Sequence, residues 1–199
     1  PQNPTSILKM RLISISILIV SCFAAIKSNN NFTVSGFDSG GAMAQMLGIA
    51  YSKTVKGFAT FASGPYGCYD SAIGEKSCFN ATSINAGWIN QTIYNLTDSL
   101  KIDNLTNLLT SWMLVYVGTA DKKVTSSVGS LTATILDWFA NSTDSVKLVW
   151  LAGANHTFPT VSFGSACSKS LPPFMGACHY DLAFVTIDFL YGNGATYPT

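Results

Sequence analysis

The sequence is poor in charged residues. Asp, Glu, Lys and Arg together make up 11% of its 199 residues, against about 25% in a typical soluble protein. The formal net charge is +1, and the basic residues are scattered along the chain. A protein that binds a nucleic-acid backbone needs a basic patch or stripe. The composition therefore predicts that nucleic acid is not a partner.

Motifs for metal and phosphate binding are also missing. The cysteines are spaced too widely for CxxC knuckles, which disfavours a zinc site, and no GxxxxGK[ST] loop occurs. We expect neither a metal nor a cofactor. No internal repeat or linker divides the sequence, and its length suits one domain with a single core.

A hydrophobic run near the N-terminus predicts a secretory signal peptide. Met10 and Arg11 precede an apolar stretch at residues 12–26, which ends near small residues and is followed by polar residues 27–29. Signal peptides typically have a basic N-terminal part, a short apolar stretch and small residues at the end of that stretch. The alternative is a buried helix or strand of the fold. We expect upstream residues and this segment to occupy 1–28 and the folded domain to occupy 29–199.

Two further patterns agree with secretion. Outside the apolar run, four cysteines form two local pairs, Cys68 with Cys78 and Cys167 with Cys178, which suggests two disulfides although four cysteines allow three pairings. N-x-[ST] sequons are dense, and N-linked glycans are expected only on secreted chains. The seven acceptors are Asn31, Asn80, Asn90, Asn95, Asn104, Asn141 and Asn155.

Short apolar runs alternate with amphipathic segments along the rest of the chain. Continuous apolar strands that alternate with helices indicate an α/β fold with a mostly parallel sheet and helices on both faces. Residues 64–107 are predicted to form a long irregular segment that contains short helices. The predicted strands are 32–35, 55–62, 112–117 and 147–151, and the predicted helices are 40–51, 130–139 and 181–190.

Three chemically active residues follow predicted strands. Asp38 lies in a strand–helix turn with Gly36 and Gly40 on either side, as in the G-x-S-x-G nucleophile elbow. Asp121 follows the strand at 112–117, and His156 follows the strand at 147–151. The carboxyl ends of parallel strands meet at one edge of a sheet, and the order nucleophile, acid, histidine is that of α/β-hydrolases.

Each of the three also has a purely structural interpretation. A glycine-rich turn can be only a turn or a phosphate cradle, an Asp after a strand is often a cap, and a loop His is often structural. The string Asp38-Ser39-Gly40-Gly41 occurs in trypsin-like proteases as well. In those enzymes the catalytic histidine precedes the string, and here no His precedes His156.

Several motifs between residues 32 and 191 occur together at the spacing of one known family. They are Val34-Ser35-Gly36, Ser39-Gly40-Gly41-Ala42-Met43-Ala44, Gly64-Pro65-Tyr66-Gly67-Cys68, Gly118-Thr119-Ala120-Asp121, His156-Thr157-Phe158-Pro159-Thr160 and Cys178-His179-Tyr180-Asp181. With these motifs the sequence resembles the secreted poly(3-hydroxybutyrate) depolymerases, especially the fungal, circularly permuted α/β-hydrolases among them.

The resemblance implies roles for the site residues. Residue 38 would attack the ester carbonyl, His156 would act as general base and then acid, and Asp121 would orient the imidazole. The substrate would be a short-chain polyester or ester oligomer, hydrolysed without a metal or cofactor. The resemblance also implies the disulfides Cys68–Cys78 and Cys167–Cys178.

Three features depart from the family pattern. The family has serine where this chain has Asp38, and a carboxylate can attack alkyl carbons but would give an anhydride with an ester carbonyl. Ser39 is adjacent, yet a shift of one residue on the turn points its side chain elsewhere. The chain lacks the segment that carries the family's oxyanion loop, so the fold is expected to be incomplete, with an uncovered sheet edge. A glycan on Asn155 would obstruct His156.

These features lead to competing hypotheses. The first is a secreted depolymerase-type carboxylic-ester hydrolase that Asp38 weakens or inactivates. The second is a catalytically dead, glycosylated extracellular protein with a binding or structural role, which self-assembles into oligomers or filaments through the open sheet edge. A third is a truncated gene fragment without a function of its own.

Overall fold

The computed structural model describes residues 32–69 and 78–192. The predicted signal peptide and the sequon at Asn31 lie outside this part of the chain. The elements in chain order are β1 (Phe32–Phe37), α1 (Ser39–Ala50), β2 (Val55–Phe61), α2 (Ala86–Asp98), β3 (Trp112–Gly118), α3 (Ser126–Asp137), β4 (Val146–Leu151), β5 (Phe158–Thr160), β6 (Ser165–Ala166), β7 (Met175–Ala177) and α4 (Leu182–Tyr191). Short 3-10 turns lie at Ala81–Ser83, Leu105–Thr110 and Thr143–Ser145.

Four strands form the main sheet, in the order β1-β2-β3-β4, and all of their pairings are parallel. One row of residues runs across all four strands through Phe37, Phe61, Tyr116 and Val149. The predicted parallel sheet is therefore confirmed. Because every strand runs the same way, the loops that follow β1, β3 and β4 emerge at the same edge.

Both faces of the central strands β2 and β3 are buried, as predicted. On β3, Met113, Val115 and Val117 belong to one apolar cluster, whereas the alternating Leu114 and Tyr116 belong to the other. The first cluster includes Ile49 of α1, Ile93 of α2 and Val128 of α3, and the second includes Leu182 and Leu190 of α4. A strand that is buried on both sides requires a continuous apolar run rather than an alternating pattern.

The long irregular segment predicted at residues 64–107 contains the 13-residue helix α2. The side chain of Asn85 caps α2 by accepting a hydrogen bond from Trp88 N at 2.9 Å, and Ile89 and Ile93 are the buried residues on its inner side. Its Asn, Thr and Gly residues are weak helix formers, so local propensity does not indicate it. The helix is longer than the predicted short helices because packing on α3 and the sheet outweighs that propensity.

Two other differences concern boundaries and small strands. Helix α3 begins at Ser126, four residues before its predicted start, because its polar first turn carries Val128 into the core. Strands β5, β7 and β6 form a second, three-stranded parallel sheet that was not predicted. Its strands have two or three residues each, which is too short for a periodic pattern.

The close contact between α1 and β2 predicts the effect of a substitution at Gly48. A Cβ added there would lie 2.1 Å from Cδ1 of the buried Phe58. Gly48→Ala should therefore destabilise the protein by about 1–3 kcal/mol through overpacking, although alanine is the better helix former. Urea unfolding measures this, with Gly87→Ala in α2 as the control, since its nearest contact would be 3.5 Å away. Equal stability of the two variants would contradict the packing described.

Candidate active site

Asp38 occupies a strained turn between β1 and α1. Its φ is 56° and its ψ −121°, a conformation that is uncommon for a residue with a side chain. Its N–H donates to Phe61 O at 2.9 Å, and its carbonyl accepts from Gly41 N at 3.0 Å. A Cβ on Gly36 would lie 2.0 Å from Gly40 O, so only glycine allows this approach. The turn holds the Asp38 side chain at the carboxyl edge of the sheet.

Asp121 and His156 form a buried pair beside that turn. The side chains are 0% and 2% exposed, and Asp121 Oδ2 lies 2.8 Å from His156 Nδ1. The other oxygen, Asp121 Oδ1, accepts hydrogen bonds from the backbone N–H groups of Lys123 and Val124 at 2.8 and 2.9 Å. With Nδ1 donating to the carboxylate, neutral His156 would have Nε2 free as a base.

The loops that carry this pair are joined through their backbones. Ala120 N donates to Ala154 O at 2.9 Å, and Thr119 N donates to Leu151 O at 3.0 Å. Gly118 is also required, because a Cβ there would lie 2.4 Å from Ala154 O. The paired strands β3 and β4 therefore fix Asp121 and His156 relative to each other.

Asp38 faces this pair and is bound by a lysine. His156 Nε2 lies 3.5 Å from Asp38 Oδ2, which is too long for a hydrogen bond, and Nε2 has no hydrogen-bond partner among the described residues. Lys123 Nζ contacts the same oxygen at 2.5 Å. The strong partner of Asp38 is thus an ammonium group rather than the imidazole. Sequence reasoning missed Lys123, and its position two residues after Asp121 was the available indication.

Ser39 lies beside the site without joining it. It is the first residue of α1 and is exposed, and it makes no hydrogen bond to His156 in the described part of the chain. The backbone N–H groups of Ser39 and Gly40 point from the helix N-terminus and have no acceptor among residues 32–69 and 78–192. Such N–H groups can stabilise a developing negative charge.

The loop around His156 is held by Asn155. Asn155 Nδ2 donates to Ser168 O at 3.0 Å, and its Oδ1 accepts from His156 N at 2.8 Å. Ser168 follows Cys167, which forms a disulfide with Cys178. A second disulfide joins Cys68 and Cys78, so both pairings that the resemblance implied are formed.

The remaining sequons differ in exposure. Asn90 and Asn155 are half-buried, and Asn155 uses its amide in the contacts above. The exposed acceptors are Asn80, Asn95, Asn104 and Asn141.

The described part of the chain has neither a candidate metal centre nor a candidate membrane span. No group of three or more His, Cys, Asp and Glu side chains in this part of the chain could hold a metal ion. No described helix is both long enough and apolar enough to cross a membrane.

The elbow, the following acid and histidine, and the parallel sheet define part of an α/β-hydrolase fold. The chain superposes on the crystal structure of PHB depolymerase from Penicillium funiculosum with a TM-score of 0.75 and 31% identity, over 84% of this chain and 53% of that one. For a PHB depolymerase variant complexed with R3HB trimer the TM-score is 0.77 and the identity 31%, over 85% and 54%.

Sequence comparison agrees with the structural match. The chain is 34% identical over 169 residues to the polyhydroxybutyrate depolymerase of Talaromyces funiculosus, covering 82% of this chain and 49% of the relative. It is 35% identical over 181 residues to the poly(3-hydroxybutyrate) depolymerase of Delftia acidovorans, covering 84% and 35%. No family model matches. Over the residues they share, the chain is similar in sequence and in fold to the poly(3-hydroxybutyrate) depolymerases, and it spans half or less of the length of these curated relatives.

The buried carboxylate predicts a stability effect for Asp121→Asn. The amide oxygen can still accept from the two backbone N–H groups, but the amide NH2 then faces His156 Nδ1. That contact needs the other imidazole tautomer, with its proton on Nε2, and the charged acceptor is lost. We expect a loss of about 1–3 kcal/mol in the free energy of unfolding, measured in urea. Asp144→Asn, at an exposed carboxylate, should change it by less than about 0.5 kcal/mol. An unchanged stability for Asp121→Asn would show that the carboxylate is not held as described.

The two hydrogen bonds of the Asn155 side chain predict a second effect. Asn155→Asp keeps the acceptor for His156 N but places a carboxylate oxygen against Ser168 O. In protein from a host without N-glycosylation, we expect a loss of about 1 kcal/mol or more. Asn95→Asp, which also removes a sequon but lies on an exposed helix position, should have little effect. Equal losses in the two variants would contradict a positioning role for the Asn155 amide.

Proposed function

We propose that this chain is a secreted domain of the depolymerase type that keeps an ester-binding site but has its acyl-transfer step blocked at Asp38. The observation that carries the proposal is the Asp38 carboxylate at the elbow, paired with Lys123. Attack of a carboxylate on an ester carbonyl would give an anhydride, and ion pairing further reduces its reactivity. The Asp121–His156 pair and the Ser39 N–H are the groups that a serine at position 38 would need.

The proposed substrate class comes from the relatives. Their names describe depolymerases of polyhydroxybutyrate, and one solved relative is complexed with R3HB trimer. We therefore propose that the site recognises a short-chain hydroxyalkanoate polyester, an oligomer of it, or a similar ester. Nothing in this chemistry requires a metal or a cofactor.

Secretion is supported by the covalent structure. Two disulfides within a domain are consistent with an oxidising compartment. Four exposed sequons, Asn80, Asn95, Asn104 and Asn141, are available for N-linked glycans. We propose an extracellular glycoprotein on this basis.

An open sheet edge supports a second candidate function, that of a glycosylated binding or structural protein that self-assembles. In the described residues β1 pairs with β2 on one side only, and an exposed strand can accept a strand from another chain. Sedimentation of the full chain tests this candidate. A monomer at all concentrations would rule out assembly through the edge.

If the Asp38 carboxylate blocks acyl transfer, Asp38→Ser should gain esterase activity. The serine hydroxyl would take the place of the carboxylate facing His156 Nε2, which could then accept its proton. We expect hydrolysis of p-nitrophenyl butyrate by Asp38→Ser to exceed that by the native chain, which should be close to the uncatalysed rate.

The control places His156→Ala in the Asp38→Ser background. Because general-base catalysis contributes on the order of a hundredfold or more, most of the gained activity should disappear. A different result would contradict the proposal that Asp38 blocks acyl transfer. In that result the native chain hydrolyses the ester as fast as Asp38→Ser does, and His156→Ala in the native background removes this activity.

A further inference from the structure

One oxygen of the Asp38 carboxylate is uncommitted. Lys123 Nζ and His156 Nε2 both approach Oδ2. Oδ1 makes no hydrogen bond or ion pair with any described residue. The side chain is 27% exposed, so the free oxygen belongs to a group that solvent or a ligand can reach. The strained turn holds this carboxylate at the position of a nucleophile.

Carboxylates are useful nucleophiles toward saturated carbon. Displacement at an sp3 carbon gives an ordinary ester, and no anhydride is formed. The groups near Asp38 then decide which leaving group fits. A ring oxygen such as that of an epoxide leaves as an alkoxide and needs a proton donor as the ring opens.

Two groups of the described chain could donate that proton. One is the Lys123 ammonium group. The other is Tyr69: burial is the main cause that raises the pKa of its phenol, and the negative charge of Asp38 raises it further. The phenol therefore stays protonated at neutral pH. Either group could donate a proton to the ring oxygen as an epoxide opens.

An apolar groove adjoins the same tyrosine. It has a volume of about 370 Å³ and is lined by Met46, Tyr66, Tyr69, Trp88 and Leu96, among others. The lining is chiefly hydrocarbon and aromatic, which suits an unbranched alkyl chain better than a charged ligand. Phe37, whose ring centroid lies 4.8 Å from that of His156, adds apolar surface beside the imidazole.

We propose that the site hydrolyses aliphatic epoxides, with Asp38 as the nucleophile. In the first step an oxygen of the carboxylate forms a bond to one epoxide carbon while the bond from that carbon to the ring oxygen breaks. The ring oxygen takes the electron pair of that bond and a proton from Lys123 or Tyr69. The product is a hydroxyalkyl ester of Asp38.

The second step uses the Asp121–His156 pair, which takes no part in the first step. Water attacks Cγ of the Asp38 ester while His156 Nε2 accepts its proton, and Asp121 holds the resulting imidazolium through Nδ1. The N–H of Ser39 lies where it can stabilise the oxyanion. Collapse of the intermediate breaks the bond between Cγ and the ester oxygen, which leaves as a diol with the proton from His156. Asp38 is regenerated as a carboxylic acid and loses its proton to solvent, while the donor of the first step takes one up, so the balance is epoxide plus water to diol.

Isotope labelling tests this directly on the native chain. With excess protein over 1,2-epoxyhexane in ¹⁸O-labelled water, the first turnover should give an unlabelled diol, because its new oxygen comes from Asp38. Peptide mapping should then find the ¹⁸O in Asp38. A diol that carries ¹⁸O with none in Asp38 would mean direct attack by water, and no diol at all would mean no such activity. Either result overturns the proposal.

Trapping gives an independent readout. In His156→Gln the ester should persist, and the intact mass should rise by one epoxide, located at Asp38. Asp38→Asn should lose diol formation by at least about a hundredfold, whereas Asp144→Asn should leave it unchanged. An adduct in the Asp38→Asn variant would assign the reaction to another residue and refute the proposal. None of these results depends on ester hydrolysis by Asp38→Ser, so the two proposals can fail separately.

Discussion

The reversal of the chain at Asp38 is the constraint on which the site depends. A single residue separates the end of β1 from the start of α1, and the turn closes only because Asp38 adopts a positive φ and Gly36 has no side chain. Whatever residue occupies position 38 is then held at the carboxyl edge of the sheet, facing the Asp121–His156 pair. The backbone therefore fixes the position of residue 38, and the identity of its side chain decides which reaction it can perform there.

Aspartate at this place changes the charge balance of the site. One imidazole now lies between two carboxylates, one at Nδ1 and one near Nε2. Lys123 compensates, since its backbone N–H binds Asp121 while its ammonium group binds Asp38. The same residue thus links both acids. A serine in this position would need no such partner, so Asp38 and Lys123 are best understood as a pair. Their combination disfavours attack on a carbonyl but leaves one carboxylate oxygen free.

The sequence was sufficient for those parts of the fold that depend on local patterns. The strands around the site, the glycine-flanked turn and the positions of Asp121 and His156 after strands are all visible as short patterns, and the structure brings these three residues together. Helix α2 was missed because its stability comes from the burial of Ile89 and Ile93 rather than from its composition. Lys123 was missed because the direction of its side chain depends on how the turn after β3 folds back on Asp121. Asn155 could be identified as a sequon, but its contact with Ser168 depends on a loop closed by a distant disulfide.

We propose that residue 38, not Ser39, occupies the nucleophile position of a depolymerase-type site. Labelling with a fluorophosphonate probe, which reacts with activated serines, tests it most directly, with the labelled residue located by peptide mapping. We expect no labelling of the native chain. Asp38→Ser should be labelled at residue 38, and this labelling should be lost when His156 is also replaced by alanine. Labelling of the native chain at Ser39 would contradict it.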